Sequence, residues 1–504
     1  MIEIYTLKAT RGEQLTGPYS RLKWNHPGPS YFYLLAPLYL LMNNNSFGLL
    51  ITAILINIAA IILILTILEK YTDLRVFSIS SIILAFYLCT ITSQLISFWS
   101  PRVTYLPFMG LVYLCALVAL NKKWALPFMF FIGSFIIQTN LMYVPTVAIL
   151  IATALTVNLI SNLKKKKNIF KDAKLWWVAS LLILLVMWTP PLIEEINNSP
   201  GNMSKIGNFF LEESPVHRKV VPSKAFGNYI RRYGYTFMTV VENYDYFGLG
   251  GIIKTRNTFA LSFYVLIIAA SIISSFIALK RENKFFSLLL LMYLIATAIS
   301  TWSVFQIVRR VRNHLVFWTS TLSIIALTAI IGVFLSRKNI NLRERKLKFR
   351  NSQKIKIFTV IILLAISSLT AFKIFSLHQS RFITEKLYDY TNITEAVIRY
   401  IEEENLKCPV LTVVEGEAYK FASMIFLNLY KKNVKFLVKG LRSYIFQGTL
   451  KPTGKEKDYI VIAASKSYSL LRERKGYHFI ARNKELCLFG CTRKKGLPKL
   501  LSNQ

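Results

Sequence analysis

Apolar runs of roughly 17 to 25 residues, the length a helix needs to cross the hydrocarbon core of a bilayer, recur along this chain near 47–67, 76–97, 103–120, 142–161, 175–193, 258–279, 286–304, 314–336 and 355–376. In lipid the backbone must satisfy its own N–H and C=O groups, so such runs fold as helices and the chain reads as an α-helical polytopic membrane protein. A thinner run at 124–138 is decided by charge. Lysine and arginine collect in cytoplasmic loops. The clusters at Lys122-Lys123, at Lys164 to Lys167 with Lys171 and Lys174, at Lys280-Arg281 with Lys284, and from Arg337 to Lys356 share one side only if 124–138 also spans. The expectation is about ten transmembrane helices.

The same alternation places residues 1–46, the loop 194–257 and the tail 377–504 on the outer face. Within 1–46, a first external loop, the segment Tyr31–Met42 is apolar but too short to cross, which suits a re-entrant or interfacial helix. Residues 47–376 form the polytopic domain. Residues 377–504 read as an extracytoplasmic α/β domain, with buried strands at Cys408–Val414 and Tyr459–Ala463, a helix over Ala418–Tyr430 and a strand at Val434–Val438. No glycine-rich phosphate loop follows any of these strands, so no nucleotide is expected.

A formal charge of +37 would suggest nucleic acid as the partner of a soluble chain. Here 54% of the residues are hydrophobic and the charge sits between apolar runs, so the basic residues face a membrane and no nucleic-acid partner is expected. The five cysteines lack metal-ligand spacing, and no other metal motif is present. Cys487 and Cys491 are the pair close enough in sequence to form a disulfide.

Polar groups are the informative ones in so apolar a chain, because a charge near the bilayer centre costs several kcal/mol. The densest cluster is Gly17-Pro18-Tyr19-Ser20-Arg21-Leu22-Lys23-Trp24-Asn25-His26-Pro27-Gly28-Pro29. Its prolines and glycines fix a turn, and Arg21, Trp24, Asn25 and His26 bring cation, aromatic face, amide and imidazole to one place, as a sugar phosphate would require. A structural turn whose cations meet lipid headgroups is the other reading. A second cluster, Arg309-Arg310-Val311-Arg312-Asn313-His314, puts arginines on the side where few are expected. Guanidinium groups pair with phosphate in forked geometry, so a lipid-carrier phosphate or an anionic phospholipid headgroup fits. Ser100-Pro101-Arg102 and Gln138-Thr139-Asn140 add polar groups at outer helix ends, where capping explains Asn140 as well as binding does. Glu194-Glu195 sits at a span exit, as an acid–base pair or as a helix-end feature.

The first-loop motif, followed by the aromatic run Tyr31-Phe32-Tyr33-Leu34, resembles the first external loop of the polytopic GT-C glycosyltransferases, of the bacterial protein O-mannosyltransferase and aminoarabinose transferase type. Further matches are Trp99-Ser100-Pro101-Arg102, Gln138-Thr139-Asn140 with Tyr143-Val144-Pro145, and Trp188-Thr189-Pro190-Pro191 with Pro200-Gly201-Asn202, so the likeness covers most of residues 1–320. The tail is similar to the variable external domains such enzymes append.

The resemblance implies inverting transfer of a sugar from a polyprenyl-phosphate donor to a lipid, glycan or protein acceptor on the outer face of the bacterial cytoplasmic membrane. A first-loop carboxylate acts as base and basic residues hold the departing phosphate. Carried onto this chain, Glu3 is the catalytic residue. Arg21, Arg102, Arg309, Arg310 and Arg312 hold the donor phosphate, and Trp24, Asn25, His26 and Asn140 face sugar or acceptor. The resemblance leaves a divalent metal open, and membrane lipids and the lipid-linked donor are the expected partners.

In the family a helix and a catalytic aspartate precede this loop, so the chain is expected to be a copy truncated at its N-terminus, with Glu3 matching the acidic residue that follows. Where relatives often carry histidine this chain has Asn140, which can bond a sugar but cannot shuttle a proton. The alternatives are a transporter or flippase of lipid-linked glycans, whose repeated halves and mid-span charges are not found, and a non-catalytic membrane relative lacking the aspartate.

Overall fold

The computed structural model describes residues 1–20, 22, 24–166, 173–213, 220–237, 257–308, 311–336, 382–414, 418–440 and 458–492. Seven helical stretches among them are long and apolar enough to cross a membrane: Ser46–Tyr71, Ser100–Ala119, Leu141–Lys164, Lys174–Asn197, Thr258–Lys280, Lys284–Phe305 and Asn313–Leu335. Shorter apolar helices at Ser30–Leu41, Leu74–Thr90 and Ala125–Thr139 accompany them. In chain order the helices are α1 Ile2–Ala9, α2 Ser30–Leu41, α3 Ser46–Tyr71, α4 Leu74–Thr90, α5 Thr92–Leu95, α6 Ser100–Val103, α7 Tyr105–Ala119, α8 Ala125–Thr139, α9 Val144–Lys164 and α10 Lys174–Asn197. There follow α11 Asn202–Asn208, α12 Pro222–Tyr233, α13 Asn257–Lys280, α14 Lys284–Phe305, α15 Asn313–Val316 and α16 Ser320–Leu335.

Each expected span from 47–67 to 314–336 coincides with helix, and 355–376 lies outside the described residues. The run at 76–97 differs in being broken at Ile91, between α4 and α5. Thr90 and Thr92 flank the break, and their hydroxyls donate back to Tyr87 O (2.7 Å) and Leu88 O (3.0 Å), a local alternative to the helical ladder. Buried Asn57 of α3 donates to Leu95 O at 3.2 Å, meeting a carbonyl of the interrupted segment. The segment at 31–42 forms α2, whose Tyr31, Phe32, Leu35, Ala36 and Tyr39 are buried.

Apolar character does not say which spans are central. Every residue of α7 is buried, and the window over Ser100–Ala119 is 94% buried, against 11% for Lys174–Asn197, which presents its leucines outward. Caps set where helices begin. Asn45 accepts from Phe47 N–H (2.9 Å) ahead of α3, and Asp73 from Val76 N–H (3.0 Å) ahead of α4.

By contacts the chain forms two units. One contains residues 8–20 and 24–373, and the other 374–504 together with 1–7 and 21–23. The second holds α17 Phe382–Glu403, α18 Tyr419–Lys431, α19 Tyr468–Arg472 and a five-stranded sheet of order β2-β1-β3-β5-β4. Here β1 is Val410–Val413, β2 Leu437–Gly440, β3 Asp458–Ala464, β4 Tyr477–Arg482 and β5 Leu486–Thr492. Strand β1 runs parallel to β2 and β3, while β5 is antiparallel to β3 and β4.

The strand expected at Val434–Val438 starts later, at Leu437, because the end of α18 uses the intervening residues. Asn433 takes a left-handed conformation (φ 58°) and Val434 N–H returns to Leu429 O at 3.0 Å. The disulfide that the sequence spacing would allow does not form. Cys487 and Cys491 lie on one strand, about 13 Å apart by strand rise and beyond disulfide reach, and neither is in a disulfide.

Candidate functional site

The first loop folds as a small hairpin. Gly17 N–H donates to His26 O (2.9 Å), His26 N–H to Pro18 O (2.8 Å) and Ser20 N–H to Trp24 O (2.9 Å), and Tyr19 pairs with Asn25. Pro18, Pro27 and Pro29 carry no N–H, which keeps the pairing short. Arg21 and Lys23 at the tip lie outside the described residues.

The hairpin is seated against the end of α8. A Cβ on Gly17 would stand 2.5 Å from Gln138 O and 2.7 Å from Gly28 O, so only glycine permits the approach. The buried Gln138 side chain accepts from Ser30 N–H (3.2 Å) and donates to Met187 O (2.8 Å), tying loop, α8 and α10 together. His26 Nδ1 accepts the Leu141 N–H at 3.0 Å. Burial, with the nearby His314 adding to it, pushes the imidazole down to about 4, so His26 is neutral at pH 7 with its proton on Nε2. Asn140 caps the turn beginning at Leu141, accepting from Met142 N–H at 3.1 Å, which commits its oxygen and leaves its amide donor.

Trp24 is buried, 5.8 Å from the His26 ring edge-on and 6.0 Å from Phe209. Asn25 is held through its backbone N–H to Asn202 Oδ1 (2.8 Å), its carbonyl from Asn202 Nδ2 (2.9 Å) and its amide to Thr16 Oγ1 (2.7 Å). Two buried atoms here have no hydrogen-bond partner among the described residues: the donor Trp24 Nε1 and the acceptor Asn25 Oδ1. Each such orphan costs about 1–3 kcal/mol.

The Glu194-Glu195 pair serves as a helix-end feature. Glu194 Oε2 accepts Asn202 N–H (2.7 Å), and Glu195 accepts Met203 N–H (2.7 Å), Ser204 N–H (3.1 Å) and the Ser204 hydroxyl. Both carboxylates thus cap α11, and Glu194 anchors the backbone of Asn202, whose side chain grips the hairpin.

A second group gathers on α6, α12 and α15. The Arg102 guanidinium lies 5.4 Å from the Trp99 ring, whose other neighbour is His314 at 4.9 Å. Arg232, 5% exposed on α12, donates from Nη2 to Asn313 Oδ1 at 2.5 Å. Tyr105, stacked on Phe317 at 5.3 Å, is within electrostatic reach of both guanidinium groups. His314 is also within electrostatic reach of His26.

The structure therefore brings Trp24, Asn25, His26 and Asn140 together and sets Arg102 in a related group. Arg312 is exposed beside that group, and Arg309 and Arg310 lie outside the described residues. Glu3 belongs to the other unit, where Lys431 Nζ meets its carboxylate at 2.5 Å. Sequence reasoning missed Arg232. Its only signal was the amphipathic pattern of α12, in which Arg231-Arg232 reads as a solvated helix end. It also missed Lys8, whose ammonium burial pushes down to about 8 against the opposing pull of Glu13.

No protein-family profile matches the sequence, and no curated protein matches it. The fold does have solved counterparts. The crystal structure of ArnT from Cupriavidus metallidurans bound to undecaprenyl phosphate superposes with a TM-score of 0.52 at 11% identity, over 99% of this chain and 94% of that one. The apo ArnT structure from the same organism gives 0.49 at 12% identity over the same shares. The first likeness shows that this chain shares the fold of that ArnT structure, a polytopic helical membrane domain followed by a C-terminal domain.

Proposed function

We propose that the protein is a glycosyltransferase that moves a sugar from a polyprenyl-phosphate donor to a lipid, glycan or protein acceptor at the outer face of the bacterial cytoplasmic membrane. One observation carries the reading. On a fold shared with a protein crystallised with undecaprenyl phosphate, buried Arg232 and half-buried Arg102 stand in one group, and the hairpin residues Trp24 and Asn25 keep unmatched buried polar atoms.

In this reading the acceptor oxygen attacks the anomeric carbon from the face opposite the phosphate, and the bond from that carbon to the phosphate oxygen breaks. Negative charge grows on the departing phosphate, where Arg102, Arg232 and Arg312, joined by Arg21, Arg309 and Arg310, stabilise it by charge-assisted hydrogen bonds. Trp24 offers an aromatic face and a free indole N–H to the sugar. Asn25 Oδ1 accepts from a sugar hydroxyl, and neutral His26 and the Asn140 amide donate. Glu3 takes the proton of the acceptor hydroxyl.

The Lys431–Glu3 ion pair favours a second reading, a relative that binds the lipid-linked sugar without turning it over. Membranes containing the protein, supplied with a labelled polyprenyl-phosphate sugar, separate the two. The enzyme reading requires consumption of the donor by the unaltered chain and a loss of about 100-fold in Glu3→Gln. Binding that weakens in Arg232→Ala, without consumption in any form, selects the second reading. Neither binding nor consumption by the folded protein refutes both.

A further inference from the structure

The lysine-bearing end of the membrane unit holds a cleft that plays no part in the chemistry above. It opens between the α7–α8 turn and the facing ends of α9 and α10, and its walls include Asn121, Lys122, Lys123, Asn158, Asn162 and Trp177. It is a shallow cleft, open at its mouth. We propose that this cleft binds the phosphate of an anionic phospholipid headgroup.

The polar wall is built rather than incidental. Asn121 adopts a left-handed conformation (φ 61°) and donates from Nδ2 to Asn162 Oδ1 at 2.9 Å. Asn158 Nδ2 donates to Val118 O (2.7 Å) and Asn121 Oδ1 (3.3 Å), and Asn162 Nδ2 to Asn158 Oδ1 (3.1 Å). Each of the three side-chain oxygens thereby accepts a bond inside the ring. One amide hydrogen of Asn121 remains unspent among the described residues, so the wall keeps a donor. Beside it stand two ammonium groups, with Lys122 Nζ steadied 5.5 Å from the Tyr71 ring. Among the described residues no carboxylate is part of the lining. Two ammonium groups beside a spare amide donor select an anion.

The apolar surroundings select a lipid over a free ion. Trp177 is an aromatic at the headgroup level of a span. Around it exposed apolar surface continues along α10 and α8 through Leu175 (73% exposed), Val178 (45%) and Phe128 (49%), a track suited to acyl chains leaving a bound headgroup.

Native mass spectrometry of the full chain in detergent tests the assignment, with phosphatidylglycerol, phosphatidylcholine and inorganic phosphate as probes. Phosphatidylglycerol should be retained over phosphatidylcholine, and Lys122→Gln/Lys123→Gln should weaken it roughly tenfold or more. Asn121→Asp, which tolerates the same backbone and replaces the donor by a carboxylate, should weaken it comparably, with an unchanged thermal transition showing that both variants are folded. Lys280→Gln, in a different basic cluster, should change nothing. Equal loss in Lys280→Gln would mean diffuse surface attraction and overturn the site. Equal retention of phosphatidylcholine would overturn its charge selectivity, and displacement of the lipid by millimolar inorganic phosphate would reassign the cleft to the free ion.

Discussion

The two ends of the membrane unit are both basic, yet they hold their charge in different ways. At the first-loop end the cations are guanidinium groups fixed by neighbours: Arg102 against Trp99, and Arg232 buried and bonded to Asn313. At the opposite end Lys164, Lys165 and Lys166 are exposed. A planar, weakly hydrated guanidinium tolerates burial and forked bonding, whereas an ammonium keeps its water. A buried guanidinium can meet an anion without first shedding a full water shell. A charge left in water satisfies topology alone.

The sharpest way to break this contrast is Arg232→Ala. It should reduce binding of a polyprenyl-phosphate sugar on the order of 100-fold and lower stability by about 2–3 kcal/mol through the lost charged hydrogen bond, read by donor titration and thermal unfolding in detergent. Unchanged binding would remove the difference between the ends. Next comes Gly17→Ala. The added methyl meets backbone oxygens of Gln138, Gly28 and His26, which cannot swing aside, so about 2–3 kcal/mol should be lost. Wild-type stability would show that the hairpin is not seated on α8.

Acidification tests the same seat. His26 is held below its ordinary 6.5, at about 4, so between these values the unfolded chain binds a proton that the folded one refuses. Its contribution is complete above pH 6.5 and declines as the pH falls toward 4, by up to about 3 kcal/mol. His26→Gln should flatten that part of the stability–pH curve relative to the unaltered chain, and a parallel curve would place His26 in water. The smallest effect belongs to the other end, where Lys164→Gln should leave stability within about 0.5 kcal/mol. A larger loss by thermal unfolding would show that those lysines are fixed as well.

Much of the site was legible because its residue types are unusual in an apolar chain. Trp24, Asn25, His26 and Gln138-Thr139-Asn140 could be named from sequence, and the hairpin does join them. What could not be read was the accounting of hydrogen bonds. Glu194 and Glu195 look like an acid–base pair until their oxygens are seen capping α11, and Arg231 and Arg232 look alike until one proves buried. Asn202, more than 170 positions from the loop it grips, carries no local signal of that role.

The sequence by itself determined that the chain crosses a membrane in helices and ends in an α/β module, because hydrocarbon demands a self-satisfied backbone over a fixed length and strand alternation is written locally. Only the tertiary structure decided which helices are central. The span at Ser100–Ala119 and that at Lys174–Asn197 are both apolar all round, yet one is enclosed and the other faces outward. Lipid and protein interior are equally apolar, so hydropathy cannot distinguish them. Packing and the pairing of buried polar groups can, and they alone separated the buried guanidinium from the exposed lysines.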